Sequence, residues 1–373
     1  MGRVGIMSMQ RIANYGSFLQ AYALKQLIED LGHEVEFVDY HVGIPVVKEN
    51  ADNRNKYARK LEKGLETFRY KAPLSHKLAF IQYKQSFGKK YMPMLGVAGE
   101  MNYNPKLDCL VIGSDEVFNC IQKNSNVGYS LELFGKDNRA KKLITYAASF
   151  GNTTVEKLER YGKKTEIGDL LKRFDHISVR DMNSGSIVET LTGRTPVYHL
   201  DPVLTYDYFR CCDKIPEIHA AEKYLILYAY SGRISEAEAD WIDAYAKRKK
   251  LKVYAIGGIQ KCADKFIDCS PFEVLAYFKN AEEVITDTFH GSIFSVITHC
   301  RFTTLVRKSV GVSYGNEEKL TDLLDRLKLT GRMTENIRDV EKINSCPIDF
   351  LSVDTILKQQ RNHAEKYLRD SIK

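Results

Sequence analysis

Short apolar segments alternate with amphipathic segments along most of the chain, and this alternation predicts parallel β-sheets. Near the start, an apolar strand over 3–9 is followed by a helical pattern over 17–32 and a second strand over 34–40. A strand, a helix and a second strand in this order form a βαβ unit, whose strands pair in parallel. Ser17 and Gln20 have the spacing of a helix-capping box.

The alternation continues in two blocks that a polar stretch over 209–222 separates. Strands are predicted over 107–116, 143–151, 176–181 and 196–204 in the first block, and over 224–230, 252–258, 283–289 and 301–307 in the second. Helices are predicted over 234–250, 271–280 and 291–300. The chain has 373 residues, a length that suits two domains.

We therefore predict an α/β protein with two Rossmann-like, doubly wound parallel-sheet domains that face a cleft. The first domain would span 1–210 and include a basic helical insertion over 52–95. The second would span 211–345, and a terminal helix within 346–373 would pack back on the first. In such folds, ligands bind at the carboxyl ends of the strands.

Composition narrows the class of protein. The chain is 44% hydrophobic and 28% charged, as in an ordinary globular protein. No apolar run approaches the ~20 residues of a membrane-spanning helix. The eight cysteines show no paired metal-ligand spacing, so we expect reduced thiols in a cytoplasmic protein.

The positive charge is concentrated in residues 51–100. This stretch has eleven Lys or Arg residues and four Asp or Glu residues, a net charge of +7, which equals the formal charge of the whole chain. One explanation is a solvated helical face. The other is peripheral contact with the inner face of an anionic membrane, or with a phosphorylated, lipid-linked substrate. No nucleic-acid motif accompanies the charge, so we predict no nucleic-acid partner.

Two candidate sites follow strands of the first block. The first leads into a helix, whose N-terminus favours an anion; a tight turn is the alternative. In the second, a carboxylate after an apolar strand could accept a proton from a hydroxyl, or cap a helix. The predicted binding residues are Asn14, Tyr15, Gly16, Ser17, Gly113 and Ser114, and the carboxylate is Asp115.

A third candidate is Arg180, which ends a predicted strand. A guanidinium that faces a cleft can bind phosphate or carboxylate through paired hydrogen bonds. The alternative is an ion pair with Asp181 or Asp175.

The fourth candidate is His290, at a junction between strand and helix. A histidine at the end of a parallel strand can donate a proton to a bound substrate, although many single histidines are structural. We predict that Gly291 lets a ligand approach the backbone and that Ser292 caps the helix or donates a hydrogen bond.

Together these stretches resemble the polysaccharide pyruvyl transferase family, over residues 3–330. The similar segments are "NYGSFLQAYAL", "GSDEVFN", "SVRD" with "LDPVL", and "SPFEVLAYFKNAEEVITDTFHGSIFSVI". The resemblance implies a fold like that of B-type glycosyltransferases and phosphoenolpyruvate as donor substrate. It implies a sugar of a surface polysaccharide or of its lipid-linked precursor as acceptor, and a pyruvate ketal as product. It implies no metal and no other cofactor.

The resemblance also implies roles for site residues. His290 would protonate the donor and Arg180 would hold its phosphate or carboxylate, and we assign the base to Asp115. Some family members carry Arg-Leu before this histidine, where the present chain has Thr288 and Phe289. We expect another cation to substitute, with Arg307 and Lys308 as candidates; otherwise the donor binds differently or is a different molecule.

Two other functions stay open. The same architecture supports a glycosyltransferase that uses a nucleotide sugar. A non-catalytic scaffold of polysaccharide assembly would use the basic segment and leave the predicted cleft unused. Substitution of His290 separates the scaffold from the enzymes, because only an enzyme depends on its imidazole.

Overall fold

The computed structural model describes residues 2–47, 66–97, 99–308 and 316–373. Its strands are β1 (Arg3–Met7), β2 (Glu34–Phe37), β3 (Cys109–Asp115), β4 (Lys142–Ala148), β5 (Ser178–Val179), β6 (Val197–Tyr198), β7 (Tyr224–Tyr228), β8 (Lys252–Ile256), β9 (Lys265–Phe266), β10 (Glu283–Thr286), β11 (Phe302–Leu305) and β12 (Met333–Thr334). Its helices are α1 (Tyr15–Glu29), α2 (Leu74–Tyr91), α3 (Val155–Arg160), α4 (Lys164–Leu171), α5 (Met182–Thr192), α6 (Pro202–Thr205), α7 (Tyr208–Cys211), α8 (Glu236–Lys249), α9 (Pro271–Asn280), α10 (Phe289–Ile297), α11 (Glu317–Arg326), α12 (Val340–Ser345) and α13 (Phe350–Ile372). Short 3-10 helices lie at Met92–Leu95, Leu131–Phe134, Thr330–Arg332 and Ile337–Asp339.

The chain forms two compact units, each built on a six-stranded parallel sheet. The sheet of the first unit has the order β2-β1-β3-β4-β5-β6, and that of the second has the order β12-β11-β10-β7-β8-β9. All pairings between named strands are parallel. The order of each sheet reverses beside its first strand, β1 or β7, as in doubly wound folds. The predicted fold class, two Rossmann-like parallel-sheet domains, is confirmed.

The longer strands are buried along most of their length. In β3 the first six residues are buried, and in β7 all five are buried. Strands that are covered on both faces of a sheet have continuous apolar sequences, which explains why these segments are apolar throughout. The carboxyl ends of the parallel strands lie at one edge of each sheet, where the polar residues discussed below follow them.

Each of the two units is built from segments that are not consecutive in the chain. The first contains Met1–Ala51, Tyr91–Tyr208 and Thr355–Lys373, and the second contains Asp52–Lys90 and Phe209–Asp354. Within the first unit, the Tyr367 hydroxyl of α13 donates a hydrogen bond to the Thr145 carbonyl oxygen at 2.8 Å. This places the last part of α13 against β4.

Helix α2 belongs to the second unit up to Lys90, whereas the sequence indicated an insertion in the first domain. The reason is aromatic packing. The rings of Phe80 and Tyr83 contact the ring of Phe266 in β9, with centroid distances of 5.7 and 6.2 Å. The remainder of the predicted insertion, over 52–65, lies outside the described residues.

Three local predictions are wrong. Helix α1 begins at Tyr15 and is capped by Asn14, so Ser17 forms no capping box. The strand predicted over 196–204 ends at Tyr198, because Asp201 caps α6 and Pro202 occupies its first position. Helix α10 begins at Phe289, two residues before the predicted start.

No helix in the described part of the chain is both long enough and apolar enough to cross a bilayer.

Candidate functional site

In the second unit, the segment after β10 passes directly into helix α10. The Thr288 side chain caps this helix by accepting a hydrogen bond from the Gly291 amide at 2.9 Å, and the Thr288 amide donates to Thr286 Oγ1 at 3.0 Å. These bonds tie the start of the helix to the end of the strand. They place His290 in the first helical turn, at the carboxyl edge of the sheet.

His290 is partly exposed as a residue, whereas its Nε2 atom is buried. It contacts two aromatic rings, Phe289 with a centroid distance of 5.5 Å and Phe294 with a centroid distance of 6.0 Å. Neighbours of this size restrict the orientation of the imidazole while part of the residue stays accessible to solvent. An imidazole held in one orientation, in a residue that is partly exposed, is suited to proton transfer.

A buried carboxylate precedes this helix. Asp287 is completely buried, and neither of its carboxylate oxygens has a hydrogen-bond partner among the described residues. Arg233 forms an ion pair with it, with Nη1 of Arg233 3.6 Å from Asp287 Oδ2. Burial raises the pKa of Asp287, and the charges of Arg233 and Arg307 oppose the rise only in part.

Arg233 was not among the residues predicted from the sequence. It lies in the loop after β7, and β7 is the neighbour of β10 in the sheet. Its guanidinium stacks over the Tyr230 ring at 4.6 Å, and its side chain is 38% exposed. The available signal was its position after the apolar strand "YLILY", the same signal that identified the other candidates.

The Asp287 carboxylate gives a testable pH dependence of stability. Because its pKa is higher in the folded than in the unfolded chain, the folded state binds more protons above the ordinary value of about 4. Stability is therefore lost as pH rises from that value through the folded pKa. We therefore compare the melting temperature of Asp287→Asn with that of the parent at each pH. The variant should be less stable than the parent at pH 4, and at pH 7 this difference should shrink or reverse. Thermal unfolding at both values measures this, and an equal deficit at both would contradict it.

The predicted cations Arg307 and Lys308 follow β11. Arg307 Nη1 donates to Glu238 Oε1 at 2.7 Å, and its amide donates to Asn316 Oδ1 at 2.6 Å. The charge of Arg307 acts on Asp287, so it belongs to the same edge of the sheet. Lys308 is exposed and forms an ion pair with Glu335 at 2.7 Å.

Gly291 and Ser292 both make close contacts within the second unit. A Cβ on Gly291 would lie 2.1 Å from Thr286 Oγ1, so the glycine makes room for a side chain of the sheet. Ser292 is completely buried, and its hydroxyl lies 2.8 Å from that of Thr304. Thr288, predicted as a binding residue, is buried as the helix cap.

In the first unit, two of the predicted stretches are joined by a hydrogen bond. The Ser17 hydroxyl donates to Asp115 Oδ2 at 2.9 Å. Asn14 Oδ1 accepts a hydrogen bond from the Gly16 amide at 2.7 Å, and Tyr15 is only 1% exposed. The loop before α1 is therefore organised by its own contacts, and Ser17 presents its hydroxyl to the end of β3.

Asp115 is the only partly exposed residue of the group Gly113, Ser114 and Asp115. Its backbone has a φ of 79°, a left-handed conformation that few residues other than glycine adopt. Residues held in such conformations are frequent at functional sites. Ser114 is buried and donates to the Ala147 carbonyl oxygen at 3.1 Å, and a Cβ on Gly113 would lie 2.2 Å from the Tyr146 carbonyl oxygen. These two residues support the strand.

Arg180 does not have the predicted exposed position. It is 4% exposed, and its Nη1 lies 3.1 Å from Oδ2 of Asp201, which is completely buried. Burial lowers the pKa of Arg180, but nearby carboxylates, led by Asp201, raise it by more, so the guanidinium stays charged. Arg180 therefore forms an ion pair, as the alternative predicted, but its partner is Asp201 and not Asp181 or Asp175. A buried ion pair indicates a structural role in place of direct phosphate binding.

Within the described residues, no group of three or more His, Cys, Asp or Glu side chains could hold a metal ion. The arrangement of the second unit is instead an imidazole in a first helical turn beside a strand end, with Arg233 and Arg307 following the two neighbouring strands. Such an edge can bind an anion and donate a proton to it.

Comparison with known proteins identifies a family and several solved structures of low similarity. The family model described as polysaccharide pyruvyl transferase matches residues 14–309. No curated protein sequence matches. Among solved structures, a UDP-N-acetylglucosamine 2-epimerase from Rickettsia bellii is 10% identical with a TM-score of 0.49, with 99% of this chain and 97% of that chain covered.

Two further structures are similar at the same low level. The glycotransferase of kitacinnamycin is 10% identical with a TM-score of 0.48, and 98% of this chain and 97% of that chain are covered. A mutant O-GlcNAc transferase from Thermobaculum terrenum is 12% identical with a TM-score of 0.42. In that comparison 99% of this chain is covered, but it spans only 65% of the other chain.

Proposed function

Because the chain belongs to the polysaccharide pyruvyl transferase family, we propose that it transfers the enolpyruvyl group of phosphoenolpyruvate to a sugar and forms a pyruvate ketal. The acceptor would be a surface polysaccharide or its lipid-linked precursor. The observation that carries this proposal is the position of His290, partly buried in the first turn of α10 at the carboxyl edge of the second sheet. This histidine lies within the segment that the family model matches.

The first step is a proton transfer to carbon. Phosphoenolpyruvate is an enol ester, and protonation of its methylene carbon makes the neighbouring carbon electrophilic. We assign this proton to the His290 imidazolium. The C–H bond forms as the N–H bond breaks, and the positive charge that develops on the carbon is shared with its oxygen substituent. General acid catalysis of this kind contributes about 10²–10⁴ to a rate.

Two additions and one departure complete the ketal. A sugar hydroxyl attacks the electrophilic carbon and loses its proton, phosphate leaves with its bridging oxygen, and a second hydroxyl of the same sugar closes the ring. Two hydroxyl protons are released. One is taken up by a base and then restores the imidazolium of His290, and the other leaves with the phosphate, so no oxidant or reductant is needed.

Asp115 stays our candidate for the base that accepts a hydroxyl proton. In its own unit it is partly exposed at the end of β3, with one carboxylate oxygen bound to the Ser17 hydroxyl and the other to the Glu116 amide. These bonds fix the direction of the carboxylate. A fixed carboxylate at a strand end is a suitable acceptor for the proton of a positioned hydroxyl.

For the donor-binding cation we propose Arg233, in place of the arginine that some family members have at the position of Thr288. Two contacts hold its guanidinium, the ion pair with Asp287 and the stacking on Tyr230. Its side chain is more exposed than that of Arg307, 38% against 27%, and its ion pair with Asp287, at 3.6 Å, is longer than the 2.7 Å pair between Arg307 and Glu238. A planar, partly exposed guanidinium suits the carboxylate or phosphate of the donor.

Arg233→Met should raise KM for phosphoenolpyruvate about 10–100-fold, since a hydrogen bond to a charged group contributes about 1.5–3 kcal/mol. We expect kcat to change less, and Arg233→Lys to recover part of the loss. Steady-state kinetics with varied donor measure both constants. Arg3→Met removes a more exposed arginine, 55% against 38%, from the first strand and serves as the control. An unchanged KM would contradict the assignment.

Phosphate release from phosphoenolpyruvate in the presence of lipid-linked or free oligosaccharides tests the proposed function. We expect release that depends on both the donor and an acceptor sugar. Release of nucleotide from a nucleotide sugar, without turnover of phosphoenolpyruvate, would favour a glycosyltransferase. No turnover of either donor, with the cellular role kept by His290→Gln, would favour a scaffold.

A further inference from the structure

Helix α2 and the residues before it expose three large apolar side chains. Phe68 is 45% exposed, Leu74 is 62% exposed and Leu78 is 55% exposed. Leu74 and Leu78 are four residues apart and therefore lie on the same side of the helix. Lys77 connects the group, because its Nζ donates to the Phe68 carbonyl oxygen at 2.9 Å. We call Phe68, Leu74 and Leu78 the α2 patch.

The opposite side of α2 already has its packing partner. Tyr83 and Phe87 are buried, and Phe80 packs edge-on against Phe266 of β9. The helix therefore has two apolar surfaces, one within the second unit and one exposed to solvent. Single exposed apolar residues are ordinary, but several large ones close together in the chain indicate a surface that binds a partner.

The stretch of chain that carries the patch is strongly basic. Residues 66–91 contain six Lys or Arg residues and one acidic residue, a net charge of 6 − 1 = +5. Arg69, Lys71, Lys89 and Lys90 are exposed. Lys71 pairs with Glu236, but both side chains are more than 60% exposed, so this pair is weak and can be exchanged for another anion.

We propose that the α2 patch docks the protein on an anionic lipid bilayer. Apolar side chains and basic residues carried by one short stretch of chain are a combination that binds the membrane interface, with the apolar groups between the headgroups and the basic groups at the phosphates. The charge of the surface selects the occupant, because an anionic bilayer offers both a layer that accepts apolar side chains and a surface of negative charge. This inference does not depend on the reaction that the protein catalyses.

Flotation with lipid vesicles tests the proposal on the full chain. The protein should float with vesicles that contain phosphatidylglycerol and remain unbound with vesicles of phosphatidylcholine alone. Raised salt should weaken the binding, since exposed charges are screened. A variant with Phe68→Ser, Leu74→Ser and Leu78→Ser should bind at least about tenfold more weakly, because each buried apolar side chain contributes to the transfer free energy.

Leu351→Ser is the matched control, because Leu351 is 82% exposed on α13, outside the patch. It should bind vesicles as the parent does, and circular dichroism should show that both variants are folded. Equal binding to both kinds of vesicle, no binding to either, or binding unchanged in the triple variant would overturn the proposal. The proposal would also be overturned if the parent and Leu351→Ser formed a concentration-dependent dimer that the triple variant does not form, because the patch would then bind a second copy of the chain. Turnover of phosphoenolpyruvate with a water-soluble acceptor, measured in parallel, should be unchanged in the triple variant.

Discussion

His290→Gln is expected to lower kcat/KM with phosphoenolpyruvate by about 10²–10⁴ while the protein remains folded. Glutamine has a similar size and keeps a hydrogen-bonding group, but it cannot donate a proton as an acid. The ring makes edge and tilted contacts with Phe289 and Phe294, and His290 as a residue is only partly buried. Its loss should therefore affect the reaction far more than stability. Rates of phosphate release, with thermal unfolding measured in parallel, separate the two effects.

His299→Gln is the matched control for this substitution. His299 follows the same helix at its other end, where its Nε2 lies 2.9 Å from Asp354 Oδ1 and about half of its side chain is exposed. An exposed pair of this kind contributes little to stability. We expect this variant to react at the parent rate. Equal losses in the two variants would show that the His290 effect is not specific.

Arg180→Met is expected to destabilise the first unit by about 3–5 kcal/mol, because it leaves the buried carboxylate of Asp201 without its cation. Asp201 is completely buried and its Oδ1 already accepts the Val203 amide at 3.0 Å. Any loss of activity in this variant should follow the loss of folded protein. Denaturant unfolding measures the stability. Activity per folded molecule measures any loss of activity that the loss of folded protein does not explain.

A double variant distinguishes the buried ion pair from a direct contact with substrate. Asp201→Asn keeps an oxygen that can accept the Val203 amide while it removes the charge. The double variant should be more stable than Arg180→Met alone by about 1–2 kcal/mol, which is the coupling energy expected between residues in contact. Full stability of the single variant, together with a raised KM for the donor, would instead restore Arg180 to the binding site.

The long strands and helices could be predicted from the sequence because buried parallel strands are apolar throughout. The two-residue strands β9 and β12 could not, since two residues carry no periodicity. The sequence pattern also could not predict the unit in which α2 packs. That depends on the contacts of Phe80 and Tyr83 with Phe266, which is distant in the sequence.

For the candidate sites, the sequence indicated which strand ends carry polar residues but not which side chains are accessible. His290 and Asp115 are partly exposed at such ends. Arg180 has the same kind of position, but its ion pair with Asp201 is set by tertiary contact and cannot be recognised from spacing. Arg233 was missed for the converse reason, because only the fold brings the loop after β7 beside Asp287.

Reaction in deuterium oxide tests the proposed proton transfer most directly. If an imidazolium that exchanges with solvent protonates the methylene carbon, NMR of the purified product should show a ketal methyl group with one deuterium. The His290→Gln variant should form this product at least about a hundredfold more slowly. A product that retains the methylene group as an enolpyruvyl ether, or a His290→Gln variant that makes the deuterated ketal at the parent rate, would contradict the role given to this histidine.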